Sequence, residues 1–124
     1  MFANRAAFGM IPAHDVERAI AWYRDKLGIE PADRNDEGTM YHLKGADMFL
    51  YRSGYAGTSQ ATLLTFDSPD LAADMAALRA KGVKFLDYDF PGFKTENGVA
   101  SMGGMKTAWC NDSEGNILAF NQVL

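Results

Sequence analysis

The 124-residue chain is poor in the residues that do most protein chemistry. It has one cysteine, Cys110, and two histidines, His14 and His42. A single cysteine excludes an intramolecular disulfide, and a reducing cytoplasm is the compartment expected of such a chain. Positive charge is also short: twelve Lys and Arg stand against sixteen Asp and Glu, for a net charge of −4. Nucleic acid demands a basic patch, whereas here the cations alternate with acids, as in Glu17-Arg18 and Arg24-Asp25-Lys26. Nucleic acid is therefore excluded as a partner. No run approaches the ~20 apolar residues of a membrane span, and the opening MFANRAAFGM is too short and interrupted for a secretory signal. The expectation is a soluble cytoplasmic protein with no membrane partner. No phosphate-cradling loop is present, because Gly103-Gly104 sits among methionines and out of the required pattern.

What remains is globular. Hydrophobic residues make up 48% and charged residues 23%, and a chain of this length buries roughly two thirds of its unfolded surface. Arg5–Ile11 reads as a short strand ended by Pro12. A helix follows, capped by His14 or Asp15, with Val16, Ala19, Ile20, Tyr23 and Leu27 on one stripe and Gly28 at its end. Strands are expected over Ile29–Asp33, Thr39–Lys44 and Met48–Arg52, with turns at Asp36-Glu37-Gly38 and Gly45-Ala46-Asp47. Ser53–Gln60 is rich in Gly and Ser and reads as a linker.

The pattern then starts over. Ala61–Phe66 reads as a strand, and Ser68-Pro69-Asp70 as a helix start with Ser68 as cap and Pro69 at the first helical position. Leu71, Met75 and Leu78 form the apolar stripe, Gly82 ends it, and Val83–Tyr88 reads as a strand. Asp89–Met105 is loop-rich, with a short strand near Val99–Met102. The chain closes with Thr107–Cys110 and Ile117–Phe120 around Asp112-Ser113-Glu114-Gly115, a hairpin in which Asp bonds the backbone ahead and Gly supplies positive φ. Laid on each other, Asp15-Val16 matches Asp70-Leu71, Ile20 matches Met75, Arg24 matches Arg79 and Lys26 matches Lys81. Gly28-Ile29 meets Gly82-Val83 after a slip of one residue. The repeat implies two βαβββ modules, the first over about residues 1–55 and the second over about 61–124, in one α+β domain.

The helix Asp15–Gly28 (DVERAIAWYRDKLG), the helix start Ser68–Val83 (SPDLAADMAALRAKGV) and the terminal hairpin resemble, in that order, the glyoxalase/bleomycin-resistance/extradiol-dioxygenase superfamily, the vicinal oxygen chelate fold. Asp87–Ala100 together with Ala108-Trp109 is similar to a bacterial glyoxalase-like subgroup without an assigned reaction. The resemblance implies paired modules whose curved sheets surround a cleft, and a homodimer. It also implies four positions where enzymes of the superfamily hold a divalent cation. In this chain those positions fall on Phe8, Phe49, Leu63 and Ala119, none of which offers a lone pair, and their immediate neighbours include no His, Gln or Glu. The expectation is a protein without a bound metal or other cofactor.

Strand alternation adds Tyr51 beside Phe49 and Asn121 beside Ala119. Phe93, from a loop able to act as a lid, and Trp109 complete the expected ligand-binding set. Burying ~200 Å² of apolar ligand surface would yield about 5 kcal/mol before association costs. No catalytic residue is identified. His14 is expected at a helix start, His42 in a cross-strand or solvent role, Cys110 as a buried structural thiol, and Asp87 and Asp89 as acidic surface. Three readings follow: a metal-independent module binding a small, partly aromatic molecule; a lyase, isomerase or dioxygenase with a non-standard metal ligand set; and a structural dimer with no pocket.

Overall fold

Asp15 and Asp70 set where the two helices begin, and through them the layout of each half. In a computed structural model describing residues 1–124, the chain divides into two units, Met1–Ala56 and Gly57–Leu124. The first contains β1 (Phe8–Ala13), α1 (Val16–Leu27), β2 (Asp33–Asn35), β3 (Gly38–Leu43) and β4 (Ala46–Arg52). Asp15 is the cap, its carboxylate accepting from the Arg18 N–H at 3.0 Å. His14 is drawn instead to the Ala56 carbonyl, 2.9 Å from its Nε2. Gly28 ends the helix at φ 68° and donates its N–H back to Arg24.

The four strands lie in the order β1-β4-β3-β2, with β1 parallel to β4 and the rest antiparallel. Ala19, Ile20 and Tyr23 of α1 are buried, as are Ile11, Ala13, Tyr41, Met48 and Leu50 on the sheet face beneath them. The strand expected over Ile29–Asp33 is displaced to Asp33–Asn35. Ile29 is still bonded back to Tyr23, and Pro31 has no N–H for a ladder, so pairing starts only past it. The turn expected at Gly45-Ala46-Asp47 tightens to Lys44-Gly45, with Gly45 at φ 81° and Leu43 facing Ala46.

The second unit contains β5 (Thr62–Asp67), α2 (Leu71–Ala80), β6 (Asp89–Phe90), β7 (Phe93–Lys94), β8 (Val99–Met102), β9 (Met105–Asn111) and β10 (Ile117–Val123). Its sheet runs β5-β10-β9-β8, again with the first strand parallel to the last, while β6 and β7 pair separately. Ser68 is not the helix cap. Its N–H continues the sheet by bonding Asn121, so its backbone stays extended ahead of Pro69, and Asp70 caps through the Ala73 N–H at 3.1 Å. The Ser68 hydroxyl donates to Asp74 at 2.5 Å.

The strand expected over Val83–Tyr88 reduces to one bridge between Phe85 and Cys110 and a bond from the Leu86 N–H to Trp109. The β8–β9 pairing runs out at Val99–Ala108, and Phe85 and Leu86 take over that edge for two residues only. β8 itself lies where the sequence places it. The closing turn is built as read, with Gly115 at φ 87° and Asp112 Oδ1 accepting from Glu114 at 2.8 Å and Asn116 at 3.0 Å. No helix is long and apolar enough to cross a membrane.

One buried side-chain polar atom carries no hydrogen bond: the Tyr41 hydroxyl, in the residue whose ring lies beside Tyr23 of α1. Burial, with Glu30 nearby, pushes its pKa up to about 12. A buried polar group without a partner costs about 1–3 kcal/mol. Tyr41→Phe is therefore expected to leave the melting temperature unchanged or raise it. A clear loss of thermal stability would show that the hydroxyl has a partner after all.

Candidate functional site

Helices cover one face of each sheet, which leaves the opposite face to be packed by the module itself or offered to a ligand. In the first unit that opposite face follows from the register. Phe8 pairs with Asp47, which pairs with His42; Met10 pairs with Phe49, which pairs with Met40; Pro12 pairs with Tyr51, which pairs with Gly38. Cross-strand partners point the same way, so these three rows share one side. Phe8 is 53% and Met10 45% exposed, and Phe49, Tyr51 and Met40 are half-buried. Position 38 demands glycine, since a Cβ there would run into the Leu50 carbonyl and touch the Phe49 ring.

His42 stands at the rim of this face, its Nδ1 3.0 Å from Asp47 Oδ1 and its Nε2 3.9 Å from Asp33 Oδ2. The hydrogen bond to Asp47 and that carboxylate's charge raise the imidazole pKa above its ordinary value. The sequence leaves His42 between a cross-strand and a solvent role and does not point to the acid it pairs with. The sequence pattern puts Asp47 in a turn, and the two-residue turn at Lys44-Gly45 brings it opposite His42.

The second unit treats its corresponding face differently. Ala119 pairs with Trp109, and Asn121 with Thr107, so all four lie on the side away from α2. Here the face is filled. The Phe93 ring meets Trp109 at 5.4 Å and Tyr88 meets it at 5.4 Å, both edge-on, leaving Trp109 9% and Ala119 2% exposed. The Trp109 Nε1 donates to Thr62 at 3.1 Å, and Asn121 accepts from the Thr107 hydroxyl at 2.7 Å. Leu63 falls in a bulge: the register passes from Ile117–Thr62 to Leu118–Leu64, leaving Leu63 without a partner across the ladder and 38% exposed.

The eight residues read from the sequence thus divide. Phe8, Phe49 and Tyr51 share one largely uncovered face of the first unit. Trp109, Ala119, Phe93, Asn121 and Leu63 belong to the second, where the first three pack on one another. Asp87 is more than acidic surface, because its Oδ1 accepts from the Gly98 N–H at 3.1 Å and from the Thr95 hydroxyl at 3.0 Å. Cys110 is buried, and burial with Asp112 nearby pushes its thiol up to about 12, leaving no thiolate for nucleophilic chemistry at neutral pH.

The divalent cation that the fold implies does not fit this donor set. Phe8, Phe49, Leu63 and Ala119 carry only carbon at their tips, and no group of three or more His, Cys, Asp or Glu side chains is arranged to hold a metal ion.

Two titrations check this description. Because His42 gains proton affinity on folding, its pairing with Asp47 stabilises the fold fully below the unfolded pKa near 6.5 and fades as pH rises through the folded value. Asp47→Asn is expected to lower the His42 pKa in an NMR titration; an unchanged value would break the pairing. Cys110 is expected to react with Ellman's reagent only after denaturation.

A family model described as the Glyoxalase/Bleomycin resistance protein/Dioxygenase superfamily matches residues 5–120. No curated protein matches the chain. Among solved structures, a glyoxalase/bleomycin resistance protein/dioxygenase from Alicyclobacillus acidocaldarius is similar at TM-score 0.70 and 18% identity, covering 98% of this chain and 92% of that one. A glyoxalase/bleomycin resistance protein from Catenulispora acidiphila aligns at TM-score 0.65 and 23% identity, over 95% and 97% of the two chains. A lactoylglutathione lyase from Agrobacterium tumefaciens aligns at TM-score 0.67 and 15% identity, over 97% and 95%. These likenesses carry the fold: two βαβββ modules, each a curved four-stranded sheet with one helix, as in the vicinal oxygen chelate class. With its model spanning nearly the whole length, the chain belongs to the glyoxalase/bleomycin resistance protein/dioxygenase superfamily.

Proposed function

We propose that this protein binds a small, partly aromatic molecule without a metal, and that the open face of the first module is its principal contact surface. One observation carries the reading: Phe8, Met10, Phe49 and Tyr51 form a continuous apolar area with no element of their own module over it. Contiguous exposed apolar surface, unlike scattered single residues, is a mark of binding sites. Aromatic rings supply contact, while the Tyr51 hydroxyl and the His42–Asp47 pair at the rim supply orientation, the usual make-up of a small-molecule site.

The metal-free part of the reading rests on Phe8 and Phe49 again, together with Leu63 and Ala119. A phenyl ring replaces a ligand atom at Phe8 and Phe49, a methyl group at Ala119 and an isobutyl group at Leu63, so the chemistry of a chelated enediolate has no anchor in this chain. Cytoplasmic residence and a homodimer complete the proposal; they rest on the single cysteine and on the family resemblance.

A thermal-shift screen of small aromatic compounds, with and without EDTA, tests it. A ligand at one hundred times its Kd adds about 2.7 kcal/mol, or on the order of 10 °C for a chain of this size. The shift is expected to survive EDTA and to disappear in Phe49→Trp, which fills the face. A shift that needs added zinc, nickel or iron, or a stoichiometric metal in the purified protein, would overturn the metal-free reading.

A further inference from the structure

The second module has a recess on the side that carries α2. There the row Gln122–Lys106–Ser101 runs out to the β8 edge. It forms the floor of a groove of about 620 Å³, walled by α2 on one side and by the Glu96–Val99 turn on the other. Half-buried Val99 gives its wall an apolar point, with Leu71 and Met75 packed beneath the surface; Arg79, Lys94 and Lys106 make it cationic, against one acid in the lining, Glu96. Three cations gathered against one carboxylate run opposite to the charge of the whole chain, which is −4.

The wall is built in advance of any ligand. Asn97 at φ 52° and Gly98 at φ 82° form a two-residue turn in which Glu96 and Val99 exchange both backbone hydrogen bonds, at 2.8 and 3.0 Å. The Asn97 carbonyl accepts from Arg79 Nη2 at 2.9 Å, and the Arg79 guanidinium lies 5.2 Å from the Phe85 ring centroid. The guanidinium is thereby held in place with donors to spare. Lys94 and Lys106 have no ion-pair partner. Their ammonium groups are free to turn toward an anion.

We propose that this groove binds a small amphipathic organic anion, with the acidic head at Lys94, Lys106 and Arg79 and the apolar body against Val99 and the aliphatic stems of the two lysines. Its volume falls in the range of small-molecule sites, about 300–1,000 Å³. The inference is independent of the open face of the first module, from which none of these residues comes.

The test uses the full chain and 8-anilinonaphthalene-1-sulfonate as probe, with affinity read from the ¹⁵N–¹H shifts of the Ala72, Val99 and Ser101 amides. Lys94→Gln/Lys106→Gln removes two exposed charges, and circular dichroism checks that the fold is kept. Binding at these amides is expected to weaken about tenfold or more in that variant, and to be unchanged in Phe49→Trp. The uncharged analogue N-phenyl-1-naphthylamine is expected to bind both proteins alike. Absence of shifts at these amides, or equal affinity of the sulfonate for wild type and double variant, would overturn the proposal.

Discussion

The parallel pairing of first strand with last governs each half of this protein. β1 joins β4 and β5 joins β10 edge to edge in the same direction. Parallel neighbours cannot be linked by a tight turn; the chain must leave the sheet and return across one of its faces. In both halves the crossing begins with the helix, which comes to rest on one side and hides Ile11, Met48 and Leu50 in the first and Leu118 and Phe120 in the second. The remaining side is then a surface that the module must fill, leave bare or lend to another molecule.

The two halves solve that problem differently. After α2 the second sends out a hairpin whose Phe93, with Tyr88, packs edge-on against Trp109. After α1 the first has only the short span to β2, and Phe8 and Met10 stay exposed. A duplicated architecture thus carries one self-packed and one bare face. On the bare side His42 and Asp47 stand at the rim, while the Phe49 ring and the Met10 side chain lie between the outer rows.

The fold was legible because its punctuation is local. Gly28, Gly82 and the Asp112–Gly115 turn each announce themselves through backbone chemistry that needs no tertiary context, whereas the first helix cap stays open between His14 and Asp15 until Ala56 draws the imidazole away. The errors came where distant partners decide. Ser68 reads as a cap until Asn121 claims its N–H, and Val83–Tyr88 reads as a strand until β8 occupies most of the edge it would use. At the candidate site the residue types were readable but their cover was not, since no local signal says that Phe93 lies down on Trp109. The Asn97-Gly98 pair was a readable signal that went unused: it is a strong marker of a two-residue hairpin, and it holds the Arg79 side of the groove.

The placement of the two tryptophans has a practical side. Trp22 sits half-buried on α1, edge-on to Tyr23 in the first module, whereas Trp109 is enclosed by rings in the second. Each half therefore carries its own fluorophore in a distinct environment, one partly wetted and one dry. Emission spectroscopy with either indole removed would report whether the halves melt together or in sequence, with no label attached to the protein.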